Sequence, residues 1–164
     1  MTSVFGFGGS LGMAWFSWAL LEAEELAPEG VTFELHGRLE LGKFPQFNQD
    51  LQENPPDVVR RFKGRIRAAD AVLISTPEYN HSIPGYLKNA IDWASRPYAN
   101  NVFAGKLVAV ISASGGMLDG ARAQYHLLNT HPINRPECIV PSAADKVDAD
   151  ARLIDEKTRC FSIT

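Results

Sequence analysis

The 164-residue chain has only two cysteines, Cys138 and Cys160, too few for a disulfide framework and not spaced as the C-x-x-C of a zinc or dithiol site. A reducing, cytoplasmic compartment is the expectation. The longest apolar run near the start, Met13 to Leu21 broken by Ser17, is shorter than the roughly 20 residues that span a bilayer. It also lacks the basic flank of a signal peptide, so a soluble intracellular protein with no membrane partner is expected. Residues 1–37 contain no lysine or arginine but five glutamates. That stretch is therefore −5, while the whole chain is −3 and the remainder +2. No global excess of positive charge favours nucleic acid. His126 and His131 are five apart, off the i, i+4 face of a helical metal pair, and His36 and His81 stand alone, so no metal is expected. No repeat, low-complexity tract or long Pro/Gly/Ser linker divides the sequence, and residues 1–164 read as one domain.

What is present is a core-forming mixture, 45% hydrophobic and 21% charged. Short apolar runs over Ser3–Gly8, Val31–His36, Ala71–Ser75 and Leu107–Ser112 read as strands, with a fifth at Cys138–Pro141. Helical periodicity lies between them. A first helix runs from Trp15 to Ala27; Asn54-Pro55 opens a second whose stripe is Val58, Val59, Phe62 and Ile66. Ser82 and Pro84 open a third bearing Leu87, Ala90, Ile91 and Ala94, a fourth spans Leu118 to Leu128, and a short last helix follows Asp150. The alternation predicts an α/β fold: a doubly wound, parallel, five-stranded sheet with helices on both faces. Residues 37–54 form a long connection on which function could sit. The basic run from Arg60 to Arg67 reads as a solvated helix face.

In such a sheet the ligand crevice lies outside the carboxyl ends of the strands. Three loops should meet there: GGSLG (8–12), TPEYNHSIPG (76–85) and SASGG (112–116). In the first, glycines permit a sharp turn, and Ser10 with the amides opening the next helix can donate to an anion. The second leaves a buried strand with Thr76, Glu78, Tyr79, Asn80, His81 and Ser82 between two stiffening prolines, and offers amides and an aromatic plane to a flat heteroaromatic ligand. The third brings small residues to a close backbone approach. Glu78 can be a general base or a loop-ordering carboxylate.

The segment TPEYNHSIPGYLKNAIDWASRP (76–97) resembles the signature of the NADPH-dependent FMN reductase family, whose members include quinone, chromate and azo-dye reductases of flavodoxin-like fold. The likeness extends to GSL (9–11), FNQDL (47–51), IRAADAVLISTPEYN (66–80), AGKLVAVISASGG (104–116), GARAQYHL (120–127) and PSAADKVDADARLIDEKTR (141–159). It implies noncovalent FMN, with NADPH or NADH as co-substrate. Hydride passes from nicotinamide to flavin N5 and then to a small acceptor: a quinone, azo or nitro compound, chromate or free flavin. The site residues implied are Ser10, Leu11, Gly12, Phe16, Ser17, Pro77, Glu78, Tyr79, Asn80, His81, Ser112, Ser114, Gly115 and Gly116. No side chain is assigned as catalytic, and a homodimer or homotetramer is implied.

Two departures from the family pattern stand out. The first loop has Gly12, Trp15 and Ser17 where similar sequences carry an arginine, a serine and an asparagine that reach the FMN phosphate, so weaker FMN retention is expected. After GARAQYHL, Leu128-Asn129-Thr130 runs straight into His131-Pro132, which shortens a segment that similar proteins extend. Three alternatives stay open: a flavodoxin-like electron carrier, a flavin-free nicotinamide-binding domain using Glu34 on the ribose, and a scaffold that has lost its cofactor.

Overall fold

The computed structural model describes residues 1–11, 27–37, 40–113, 120–128, 138–140, 142–148, 152 and 154–156. Strands β1 (Thr2–Gly8), β2 (Val31–Leu35), β3 (Ala71–Thr76) and β4 (Leu107–Ala113) build a parallel sheet in the order β2-β1-β3-β4. The fifth strand expected at Cys138–Pro141 is cut back to a short edge member. Four strands of five to seven residues carry the sheet. β5 (Cys138–Val140) is a three-residue pairing along Ile111–Ala113 of β4. The order 2-1-3-4-5 is that of flavodoxin-like doubly wound sheets.

Register explains the core. Phe5 pairs with Val72, Phe7 with Ile74 and Val72 with Val108, so these five side chains share one face of the sheet. They are buried there with Val59, Phe62 and Ile66 of α1 (Asp57–Ala68), Leu87 and Ile91 of α2 (Gly85–Ala94), and Leu127 of α3 (Ala121–Leu128). Burying a side chain such as Phe62 contributes about 1.5–3 kcal/mol. All three described helices thus cover a single face. The helix expected from Trp15 falls in residues 12–26, outside the described residues, as does most of the short last helix after Asp150.

Local chemistry shifts two helix starts. α1 begins at Asp57 with Pro56 at its N-cap, rather than at Pro55, because a proline drives the residue before it out of the helical region. Asn54 accepts from Arg60 Nη1 at 3.1 Å instead of capping. α2 begins at Gly85 behind Pro84, with no side-chain cap, so Ser82 does not open it. The described part of the fourth predicted helix starts at Ala121.

The connection over 37–54 is fastened to α2. Leu41 and Phe44 are buried, the Phe47 amide donates to Asn89 Oδ1 (2.8 Å), and Asn89 Nδ2 and Trp93 Nε1 both donate to the Pro45 carbonyl (3.0 and 2.9 Å). The basic run is not simply solvated either. Lys63 is buried and donates to the Arg96 carbonyl. Arg65 donates to Glu34 (2.7 Å) and the Leu35 carbonyl (2.9 Å), meets His36 Nδ1 at 2.9 Å, and lies 4.7 Å from the Phe5 ring centre. Long basic side chains lay their apolar stems on neighbouring surface, which periodicity alone does not reveal. Among the described residues no helix is long and apolar enough to cross a membrane, and no three metal-ligating side chains come together.

Candidate active site

The order of the sheet reverses between β1 and β3, and the crevice of such a fold opens at their carboxyl ends. Gly8 stands beside Ser75, and Thr76 beside Ser112, so the loops after β1, β3 and β4 leave from neighbouring strand ends. The first is held close to the third strand by the Gly9 amide, which donates to the Ser75 carbonyl at 2.7 Å. A Cβ on Gly9 would sit 2.7 Å from Leu87 Cδ2 and 3.0 Å from Thr76 Oγ1, so only glycine lets the chain pass there. Ser10, next in line, is fully buried. The Leu11 side chain packs on the core beside Gly42, and its amide donates to the Tyr86 hydroxyl. Gly12, Phe16 and Ser17 lie outside the described residues.

The loop after β3 is a tight turn on a buried base. Pro77 is fully buried, and the Tyr79 amide and Ser82 carbonyl pair at 2.8 Å while the Ser82 amide and Tyr79 carbonyl pair at 3.0 Å. The two residues between them, Asn80 and His81, both adopt left-handed backbone with φ of 49° and 63°. Positive φ at both central positions is the mark of a type I′ hairpin turn, for which Asn is well suited. Both residues are exposed, and their amides have no hydrogen-bond partner among the described residues. Tyr86 joins this wall from α2. Burial raises its hydroxyl pKa, neighbouring Tyr79 raises it further, and the Leu11 amide opposes both.

Glu78 resolves in favour of the loop-ordering reading. Its side chain is only 4% exposed and reaches across to the start of α3. Oε2 accepts from the amides of Gly120 (2.9 Å) and Arg122 (3.1 Å), and Oε1 from Arg122 Nη1 (3.2 Å). Burial pushes its pKa up, but the Gly120 amide, the Arg122 side chain and amide, and the Ala123 amide together hold it below the usual carboxylate value. A carboxylate at the positive end of a helix dipole is favoured on the same ground. His81 Nδ1 stands 3.6 Å away on its exposed side. A carboxylate so committed carries no proton at neutral pH.

The loop after β4 is described only at its ends. Ser114, Gly115 and Gly116 lie outside the described residues. The buried hydroxyl of Ser112 turns toward α3, accepting from Gln124 Nε2 at 2.8 Å. Gly120, with φ of 102°, covers it so closely that a Cβ there would lie 2.4 Å from Ser112 Oγ. Four contributors thus escape the sequence reading: Tyr86, Gly120, Arg122 and His126, the last bonded through Nδ1 to Ser82 Oγ at 2.9 Å. The signal was present in GARAQYHL, whose helical spacing puts Arg122 and His126 on one side of α3. A separate cleft of about 400 Å³, lined by Phe47, Gln49, Gln52, Arg96, Pro97 and Tyr98, contains none of these groups.

Comparison with known proteins agrees with this architecture. The chain is 46% identical to an NAD(P)H-dependent FMN reductase of Pseudomonas aeruginosa, over 95% of this chain and 86% of that one. It is 40% identical to a 2-hydroxy-1,4-benzoquinone reductase of a Burkholderia species, over 83% and 76% respectively. Among solved structures, the flavoenzyme NAD(P)H:(acceptor) oxidoreductase FerB of Paracoccus denitrificans superimposes with a TM-score of 0.86 at 39% identity, covering 99% of this chain and 92% of that one. The family model for NADPH-dependent FMN reductases matches residues 2–144, and with these loops at the switch point of this sheet the chain belongs to that family.

Proposed function

We propose that this single domain is an FMN-dependent NAD(P)H oxidoreductase that reduces a small acceptor, quinones foremost. The observation that carries the reading is the turn at 79–82: two left-handed residues hold, at the carboxyl ends of β1 and β3, a pair of amides with no partner among the described residues. Such donors fit the polar edge of an isoalloxazine, which presents acceptor atoms in a plane. Bound FMN would supply hydride exchange between nicotinamide and acceptor.

The protein's own contribution is binding and shape. The amides of Asn80 and His81 orient the flavin edge, and the buried Pro77 keeps the base of the loop rigid. Tyr79 and Tyr86 present aromatic surface between the loops after β1 and β3. Ser10, with the backbone around Leu11 and Gly12 and the Ser17 hydroxyl, is assigned to the phosphate, and Phe16 and the 112–116 turn to the flavin's remaining faces. Glu78 moves no proton, because its carboxylate is tied to α3. A homodimer or homotetramer and a cytoplasmic location belong to the same reading on the resemblance alone; sedimentation and fractionation decide them.

The test is the visible spectrum of the purified protein after incubation with FMN and desalting, followed by anaerobic NADPH. Retention of a two-banded flavin spectrum that bleaches with NADPH is expected. Retained flavin that NADPH leaves oxidised would make the chain an electron carrier, and no binding even with excess FMN would overturn the cofactor assignment.

A further inference from the structure

His126 is given no role by the binding scheme above, yet it is bonded to the loop that carries that scheme. Nδ1 of His126 and Oγ of Ser82 lie 2.9 Å apart, bridging 44 positions of sequence. Ser82 is the exit residue of the turn, cross-paired with Tyr79. On the entry side Glu78 binds the amides of Gly120 and Arg122, at the start of the same helix. α3 therefore grips the turn at both limbs, with Glu78 at its first residues and His126 one turn beyond Arg122.

The grip has something to hold. Asn80 and His81 occupy a backbone region that residues with a Cβ adopt at an energetic cost, and such conformations persist only where surrounding contacts fix them. Beyond the turn's own two cross-strand bonds and the Glu78 clamp, the exit limb is tied to α3 through the Ser82 side chain by His126. The hydroxyl of Ser82 can donate to a neutral Nδ1 or accept from a protonated one, so the tie holds in either state of the imidazole.

We infer that His126 is a positioning residue: through Ser82 it splints the 79–82 turn against α3 and so pre-organises the amides of Asn80 and His81 for the flavin. This rests on the proposed flavin reading, but half of its test does not. Hydrogen exchange of the Tyr79 and Ser82 amides in flavin-free protein is compared among wild type, His126→Ala, Ser82→Ala, the double variant and His126→Asn. Exchange is expected to quicken about two- to tenfold in either single variant, the range of one lost hydrogen bond. The double variant should be no faster than the singles, because both remove the same bond. His126→Asn, which retains a side-chain group able to bond Ser82, should restore slow exchange. The FMN dissociation constant is expected to rise by a similar factor in the same variants and to recover in His126→Asn.

Unchanged exchange in both single variants, or additive effects in the double, would overturn the splint while leaving FMN binding by the wild type intact. Failure of the wild type to bind FMN would overturn the flavin reading alone, the exchange data still judging the splint. Should His126→Ala unfold, Ser82→Ala removes the same bond with a smaller change and carries the comparison.

Discussion

Gly120 has no freedom to be another residue. Its φ of 102° and a Cβ position 2.4 Å from the buried Ser112 Oγ combine a backbone penalty with overpacking. Gly120→Ala should therefore lower unfolding stability by about 2–4 kcal/mol, read from urea denaturation. Glu78→Gln keeps the shape but loses the charge that gathers two amides and Arg122, and should destabilise by about 1.5–3 kcal/mol. Because Glu78 titrates below its ordinary value when folded, its contribution is complete above the ordinary carboxylate range. It is lost as pH falls through the folded value, and the glutamine variant should lack that part of the acid limb. His36 acts in the same direction for a different reason. It is buried among Phe5, Phe44 and Phe62, with Nε2 unpartnered among the described residues. Burial first, then Arg65, lower its pKa from 6.5 to about 4. A group that resists protonation when folded withdraws stability as pH falls from 6.5 toward 4, here by roughly 3 kcal/mol in full. His36→Phe should flatten that slope in denaturation curves between pH 7 and 4, while Arg65 keeps Glu34 and the Leu35 carbonyl.

Among the elements, those with strong periodicity were legible: β1, β3 and β4 lie within two residues of their expected spans, and of the expected α1 stripe Val59, Phe62 and Ile66 are buried and Val58 is partly buried against the same core. What escaped depended on partners distant in sequence. Nothing in Asn54-Pro55-Pro56 beyond the second proline signals where α1 begins, and nothing in Arg65 signals that Glu34 and Leu35 are its neighbours. The 37–54 connection looked free to carry function because its anchors, Asn89 and Trp93, lie on a helix, 42 to 48 positions from the groups they bind, and read as ordinary helix positions. The anchoring has a direct consequence. Asn89→Ala removes bonds to the Phe47 amide and the Pro45 carbonyl and should cost about 1–3 kcal/mol, with protease cleavage quickening between residues 44 and 52.

For the whole molecule, the candidate site was legible as three loops at one end of a parallel sheet, and the register of β1, β3 and β4 brings the strand ends that carry those loops together. The part that sequence could not supply is the cross-linking of those loops through α3, since a carboxylate and a serine that read as loop chemistry are committed to helix contacts. The distribution of charge gives a further expectation. With no lysine or arginine in residues 1–37, a phosphate held by the first loop is held without charge assistance from that segment. Gly12→Arg should tighten FMN binding about tenfold or more, measured by quenching of flavin fluorescence at low salt.

The clamp from Glu78 to Gly120 and Arg122, and the tie from Ser82 to His126, join positions 42 to 44 apart. During synthesis the chain up to β4 can lay down its sheet register before α3 exists, because those pairings involve only residues already made. The turn at 79–82 does not gain its two fastenings until residue 126 has emerged. A nascent chain whose β4 has emerged from the ribosome and whose α3 has not would display a formed sheet with the 79–82 turn still unfastened, and the proposed competence to bind would arrive as one late step rather than growing strand by strand.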